Sequence, residues 1–237
     1  MKELILIVTA AGLGTRLKEY SLKKNGKYID KPLIRLKNKT LLSWSIKPFY
    51  PLITNGLLKF SNIYVVIRED QDIEGFKNAT HEINNNIKLI TIKKLSKGPA
   101  HTAFEACQNI LKFKEINKKT IIVSDSDHTF RSDCLLNFFR NKNQKNFNAF
   151  CTLQSVDKPE NWGYIIKNDN KELISGEKNF TELDISYQKK AEFLIGCYLY
   201  NDLISLKKGI SLFENSIYRE KESHHSLILS LLSIVEP

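Results

Sequence analysis

The chain has 237 residues, of which 42% are hydrophobic and 26% are charged, and it carries a formal net charge of +10. This composition excludes a disordered chain, and no apolar run reaches the roughly 18 residues that cross a bilayer. The excess lysines lie among asparagines instead of alternating with aromatic residues, so we expect anionic small molecules as partners and no nucleic acid or membrane. Because the N-terminus lacks a signal-peptide pattern, we expect a cytoplasmic protein.

Strands and helices alternate in the first part of the chain. Continuously apolar runs predict strands at 4–10, 62–68, 87–92 and 120–125. Amphipathic stretches predict helices at about 40–55, 71–83, 99–114 and 132–142. Strands without polar alternation are typical of a sheet covered on both faces, so the pattern predicts an α/β fold with a doubly wound sheet.

The pattern changes after residue 147, where predicted strands follow one another with short connections. They are expected at 148–155, 162–168, 171–176 and 191–201, and helices follow at about 200–214 and 223–235. No linker rich in glycine and serine separates the two parts. We therefore predict a single domain over 1–237, in which 147–237 completes the domain begun by 1–146.

The cysteine spacing argues against disulfides and zinc. The cysteines, which form no CxxC pair, are Cys107, Cys134, Cys151 and Cys197. This spacing predicts reduced residues in the core.

The stretch "AAGLGTR" at 10–16 follows the first predicted strand. A phosphate-binding Walker loop would place a lysine after the second glycine, and a dinucleotide fingerprint would place a glycine at Leu17. The remaining interpretations are a glycine-rich turn whose amides surround a triphosphate beside Arg16, and a tight turn with a surface arginine.

The surroundings of this turn carry a family resemblance. After Gly-x-Gly-Thr-Arg come Lys-Pro-Leu at 31–33 and "NKTLL" at 38–42, which enters a helix. In combination these segments resemble the sugar-phosphate nucleotidyltransferase family. The resemblance covers most of the chain and implies a Rossmann-like mixed sheet flanked by helices, of the nucleotide-diphospho-sugar transferase type. It implies a reaction that joins a nucleoside triphosphate to a phosphorylated small molecule, usually a sugar 1-phosphate, and releases pyrophosphate with magnesium (Mg2+).

The resemblance assigns 1–146 to the nucleotide. The residues of the first loop that it places against base and phosphates are Ala10, Ala11, Gly12, Gly14 and Thr15. Arg16 and Lys31 would be catalytic, because fixed cations stabilise the charge that develops on the leaving pyrophosphate. Gly98 and His101 match the family's second nucleotide loop, where His101 favours a pyrimidine; the same segment is also an ordinary helix start.

A metal site is expected at "IIVSDSDHTF", 121–130, where a buried strand ends in two carboxylates. The family binds magnesium through an aspartate that precedes a phenylalanine by three places, which matches Asp127 and Phe130, with Asp125 as an auxiliary ligand. Two carboxylates in this position repel each other unless a cation lies between them. The alternative is a turn with solvated aspartates.

The resemblance assigns 147–237 to the acceptor. Its acceptor-binding positions are Gly163, Glu177, Lys178 and Gly196. An ordinary hairpin that ends in a surface Glu-Lys pair is the structural alternative.

One feature departs from the family pattern. Members usually supply a second magnesium aspartate near the C-terminus, but here no aspartate follows Asp202, although Glu222 is present. The leading hypothesis is a nucleotidyltransferase that makes precursors of surface polysaccharide. The alternatives are a glycosyltransferase of the A fold, whose Asp-x-Asp motif "DSD" matches, and a non-catalytic nucleotide-binding subunit. The sequence does not indicate the oligomeric state.

Overall fold

The computed structural model describes residues 2–15, 17, 21–23, 26, 28–131, 133–141, 147–167, 173–177 and 180–235. Its strands are β1 (Leu4–Thr9), β2 (Arg35–Leu36), β3 (Lys39–Thr40), β4 (Ile63–Arg68), β5 (Lys88–Ile92), β6 (Thr120–Asp125), β7 (Asn148–Leu153), β8 (Gly163–Lys167), β9 (Leu173–Glu177) and β10 (Ala191–Tyr200). Its α-helices are α1 (Leu41–Ile46), α2 (Tyr50–Thr54), α3 (Ile73–Ile83), α4 (Pro99–Leu111), α5 (Asp133–Arg140), α6 (Ile185–Gln188), α7 (Leu203–Glu214) and α8 (His225–Val235).

Eight of the described strands form one mixed sheet. Its order is β5-β4-β1-β6-β10-β8-β9, and β7 also pairs with β10. Strands β5, β4, β1 and β6 are parallel to one another, whereas β10 runs antiparallel to β6, β7 and β8. The expected α/β fold with a mixed, doubly wound sheet is therefore confirmed, and β10 joins the strands of 1–146 to those of 147–237.

The two faces of the sheet bury separate cores. In β1, Ile5 and Ile7 pack on the side of α4, α7 and α8, whereas Leu6 and Val8 pack on the side of α1, α2, α3 and α5. Successive side chains of a strand point to opposite faces, so a strand covered on both sides must be apolar throughout. This confirms the interpretation of the continuously apolar runs.

The predicted helix at 40–55 is interrupted. Helix α1 ends at Ile46, a 3-10 turn spans Lys47–Phe49, and α2 begins at Tyr50. Pro48 and Pro51 provide the reason, because proline lacks the amide donor that a continuous helix needs. The two-strand hairpin β2–β3 was not predicted; Lys37 and Asn38 form its turn with positive φ angles.

The cysteines are free, but they do not all lie in the core. Cys107 and Cys197 are buried and Cys151 is half-buried, whereas Cys134 is exposed. The expectation of a core position is therefore wrong for Cys134. Helix α5 buries Leu135 and Phe139, which lie four positions apart on one face, and Cys134 lies outside that face.

Among the described residues, the helices are too short or too polar to cross a bilayer.

His225 at the start of α8 is a buried titratable group. Its Nδ1 lies 2.7 Å from the Tyr200 hydroxyl, and its ring stacks on Tyr198 with centroids 4.7 Å apart. Burial, with a contribution from the charge of His224, lowers the pKa of His225 to about 3. The folded state therefore holds a neutral imidazole at any pH above this value.

This burial predicts acid sensitivity. An unfolded histidine binds a proton below about pH 6.5, so the contribution of neutral His225 to stability is present above that pH. This contribution to stability decreases as the pH falls toward the pKa of His225 in the folded state. The decrease is about 2 kcal/mol between pH 7 and pH 5. Urea unfolding at both pH values should show a smaller loss in His225→Phe than in the wild type. His81→Phe, which changes an exposed histidine, is the control, and equal losses in all three proteins would contradict the assignment.

Candidate active site

The segment at 10–15 leaves β1 at the edge of the sheet where the parallel strands end. Gly14 has φ +60°, and a Cβ at this position would lie 3.3 Å from the Cβ of Lys31. A side chain would therefore be strained by the backbone and crowded by Lys31. Glycine allows the segment to turn closely over Lys31.

Arg68, the last residue of β4, holds the carbonyl groups of this segment from below. The residue is only 7% exposed, and its guanidinium donates to the carbonyl oxygens of Ala11 and Gly12, the latter at 3.1 Å. Its Nε also donates to the Asp70 carboxylate at 2.8 Å, a hydrogen bond that lowers the pKa of Asp70. The buried charge is thus fully engaged by acceptors.

Gln71, Asp30 and Tyr28 extend this support. The Gln71 amide donates to the Ala10 carbonyl at 3.1 Å and to Asp30 at 3.2 Å. The Tyr28 hydroxyl lies 3.3 Å from the carbonyl of Leu13 and 3.2 Å from Asp30. Each carbonyl from 10 to 13 therefore accepts a hydrogen bond from a side chain of the protein.

The amides of the same segment behave differently. Within the described part of the chain, the N–H groups of 11–14 donate no hydrogen bond to the protein. Free amides on a tight turn next to a strand end form a binding site for anions such as phosphate. The side-chain support thus leaves the amides available for a ligand.

Acidic groups lie on the neighbouring strand. Thr9 of β1 pairs with Asp125, the last residue of β6, and a turn then brings Asp127 and His128 to the same edge. One ligand atom from each of Asp125, Asp127 and His128 lies within 4.8 Å of the others. Lys31 Nζ forms an ion pair with Oδ2 of Asp127.

The charges in this cluster shift its pKa values. Burial opposes ionisation of Asp127, but His128 and Lys31 outweigh it, so the pKa of Asp127 lies below its usual value. Burial likewise opposes protonation of His128, but Asp125 and Asp127 raise its pKa above the usual value. The lowered pKa of Asp127 favours its negatively charged form at this edge of the sheet.

Gly196 makes room for this cluster. It lies where the pairing of β10 with β7 shifts register, and its φ is +69°. A Cβ at this position would lie 2.5 Å from Asp125 Oδ2 and 2.7 Å from His128 Nδ1. The bulge thus brings bare backbone against the two ligand groups.

These residues fit a divalent cation. The donor set contains two carboxylates, and His128 Nδ1 is a buried nitrogen without a hydrogen-bond partner among the described residues. The space that a Cβ of Gly196 would fill lies beside both groups. Asp125 and Asp127 would hold the ion, and the phosphate oxygens of a substrate would complete its coordination.

A cavity of about 590 Å³ lies between the 10–15 segment and the carboxylates that follow β6. The predicted site residues that line it are Ala10, Ala11, Gly12, Gly14, Thr15, Lys31, Gly98, Asp125 and Asp127. The structure therefore brings the amide segment, the lysine and the carboxylates around one space. Arg16 lies outside the described residues, so its position stays a prediction.

In the second predicted nucleotide loop, His101 contacts the C-terminal part of the chain. The ring of His101 lies 2.7 Å from the Ser223 hydroxyl and does not line the cavity. Ser223 also donates from its amide to the Lys97 carbonyl at 2.9 Å, and a Cβ on Gly98 would lie 2.6 Å from that amide. His101 thus holds the 222–223 segment in place, and Glu222 of that segment lines the cavity.

The predicted acceptor residues for which the structure gives a position do not form one group. Gly163 pairs with Glu177 across the β8–β9 hairpin, whereas Gly196 lies at the metal cluster. The side chain of Glu177 and the whole of Lys178 lie outside the described part, and their role stays a prediction. A second cavity of about 590 Å³ beside β9 and α8 shares Glu222 with the first.

The bulge at Gly196 can be tested against a matched glycine. Gly56 has φ +72° with no atom near its missing Cβ, so Gly56→Ala and Gly196→Ala share a backbone penalty of about 1 to 2 kcal/mol. Only Gly196→Ala should also displace Asp125 and His128 and weaken divalent-cation binding about tenfold or more. Calorimetric titration with Mn2+ and thermal unfolding measure the two effects. Equal cation binding by the two variants would contradict the role of the bulge.

The hydrogen bonds from Arg68 to the 10–15 segment lead to a second prediction. Arg68→Met removes the side-chain donor for the carbonyls of Ala11 and Gly12, which should cost about 1 to 3 kcal/mol of stability and loosen the 10–15 segment. Thermal unfolding should shift to lower temperature, and binding of a nucleoside triphosphate should weaken. Arg140→Met, which changes an exposed arginine, should leave both unchanged. Unaltered binding of the nucleoside triphosphate by Arg68→Met would show that the segment holds its shape without this residue.

Comparisons with solved structures confirm the fold. A structure from Bacillus anthracis, described as that of a glucose-1-phosphate thymidylyltransferase, matches 98% of this chain and 84% of its own, with TM-score 0.69 and 19% identity. The nucleoside-diphosphate-sugar pyrophosphorylase from Vibrio cholerae RC9 matches 97% and 88%, with TM-score 0.70 and 15% identity. The inositol-1-phosphate CTP transferase from T. maritima matches 99% and 84%, with TM-score 0.67 and 18% identity.

The family is shown by sequence. A search of the curated proteins finds no match to this chain. The family model for nucleotidyl transferases, however, matches residues 5–231, which include every element that lines the cavity. The chain therefore belongs to the nucleotidyl transferase family.

Proposed function

We propose that this nucleotidyltransferase couples a nucleoside triphosphate to a sugar 1-phosphate or a similar phosphorylated metabolite and releases pyrophosphate. The sequence predicts Mg2+ as the cation, and a role in precursors of surface polysaccharide rests on the family resemblance. We further propose that 1–146 binds the nucleotide and 147–237 the acceptor, within one domain.

The observation that carries the proposal is that groups suited to an anion and groups suited to a cation line the same cavity. The amides at 11–14, which donate to none of the described residues, suit the oxygens of a polyphosphate, and Asp125 and Asp127 across the cavity suit the cation that accompanies it. They are neighbours because β1 and β6 are adjacent parallel strands whose carboxyl ends meet at one edge. A metal-bound triphosphate needs both groups within reach at the same time.

The chain's own residues supply most of the transition-state stabilisation. The amides of 11–14 hold the phosphates in line, and Lys31 and Arg16 stabilise charge on the departing pyrophosphate. A bound cation would neutralise charge on the α-phosphate. Without a ligand Lys31 is paired with Asp127, so its ammonium group already lies beside the place where phosphate charge develops.

The acceptor has room next to this centre. The second cavity is lined by Ser175, Gly176 and Lys221, and Glu222 borders both cavities. Lys221 offers a cation for a phosphate, and hydroxyl and backbone groups offer partners for a polyol. Gly163, Glu177, Lys178 and Gly196 remain the predicted acceptor residues, and Gly196 also lies against Asp125 and His128.

The position of Glu222 bears on the non-catalytic alternative. That alternative arose because no aspartate follows Asp202, but Glu222 lines the same cavity as Asp125 and Asp127. A carboxylate from the C-terminal part of the chain is therefore available to the site. The motif "DSD" keeps the glycosyltransferase alternative testable, since only a nucleotidyltransferase releases pyrophosphate from a free triphosphate.

The test is a screen for pyrophosphate release. Four nucleoside triphosphates are combined with a panel of phosphorylated acceptors and a divalent cation. We expect one pair to release pyrophosphate and Asp127→Asn to lower turnover by on the order of a hundredfold. Asp133→Asn, which changes an exposed aspartate at the start of α5, should stay active. No release from any pair, with nucleotide binding retained, would favour the non-catalytic alternative.

A further inference from the structure

His128 is the part of the metal cluster that the proposed reaction does not require. Two carboxylates and substrate phosphates suffice for Mg2+, which prefers oxygen ligands in near-octahedral geometry and keeps several of its waters. The third group at this site is nevertheless an imidazole, with one ligand atom within 4.8 Å of those of Asp125 and Asp127. The nature of this donor bears on which cation is bound.

The imidazole is aimed at the carboxylates. His128 Nδ1 lies 3.2 Å from Asp127 Oδ1 and 3.6 Å from Asp125 Oδ2. This nitrogen is buried, and its close contacts with the two carboxylates lack the geometry of a hydrogen bond. A buried nitrogen that faces two carboxylates without a well-formed hydrogen bond to either is rare in folded proteins and suits a cation bound between the three groups.

The surrounding structure fixes this orientation. The ring lies against Trp162, with centroids 6.0 Å apart, and the missing Cβ of Gly196 leaves Nδ1 unobstructed. A side chain at 196 would lie 2.7 Å from Nδ1 and close the approach. The site is thus built to keep this nitrogen accessible to the space between the carboxylates.

We infer that His128 is a third protein ligand and that the site binds a first-row transition-metal ion of the Mn2+ type more tightly than Mg2+. Imidazole suits transition metals, whereas carboxylate, carbonyl and water ligands suit Mg2+, so a mixed nitrogen and oxygen donor set favours the former. The inference rests on the proposed function for the role of the ion, whereas its test measures the ion alone.

The first experiment titrates the full chain with Mn2+ and follows free Mn2+ by electron paramagnetic resonance, without nucleotide or acceptor. His128→Ala should weaken Mn2+ binding about tenfold or more. The Mg2+ affinity of this variant, obtained from displacement of Mn2+, should change little. His81→Ala removes an exposed histidine and should bind Mn2+ as the wild type does. Equal Mn2+ affinity in the wild type and His128→Ala would overturn the inference.

The second experiment needs no variant and so does not depend on how a substituted protein folds. Pulsed electron paramagnetic resonance of the wild-type Mn2+ complex should show coupling to a histidine nitrogen, and isotope-labelled histidine should change that signal. A complex without nitrogen coupling would overturn the inference. Failure of the pyrophosphate screen would leave both metal experiments interpretable, because neither uses the reaction.

Discussion

The candidate site depends on the inward anchoring of the carbonyl groups at 10–13. Buried donors from Arg68 and Gln71, with the Tyr28 hydroxyl, engage these carbonyls, and the amides of 11–14 stay free among the described residues. A turn that exposed carbonyl oxygens would repel phosphate, whereas one that exposes amides attracts it. Side chains that do not line the cavity thus determine the charge that the segment presents.

The sheet then places the opposite charge within reach. Parallel β1 and β6 end side by side, so the amide segment that follows one strand adjoins the carboxylates that follow the other. The antiparallel strand β10 completes the edge, and its bulge at Gly196 opens space for Asp125 and His128. Chain order, strand direction and one irregularity together build the cavity.

Much of this could be predicted from the sequence. The apolar runs gave the strands of the sheet, and the motifs gave Gly14, Lys31 and Asp127 around one cavity. The buried support could not be predicted, because Arg68 and Gln71 match no short motif, and only the parallel pairing of β4 with β1 brings them beneath the loop. The turning of His101 toward Ser223 likewise depends on a contact between distant parts of the chain.

The most direct test is a crystal structure with Mn2+ and a nucleoside triphosphate analogue that cannot be cleaved. The account predicts phosphate oxygens on the amides of 11–14 and the ion between Asp125 and Asp127, with Lys31 turned from the carboxylate toward phosphate. A triphosphate bound elsewhere, with the cavity filled by water, would contradict it.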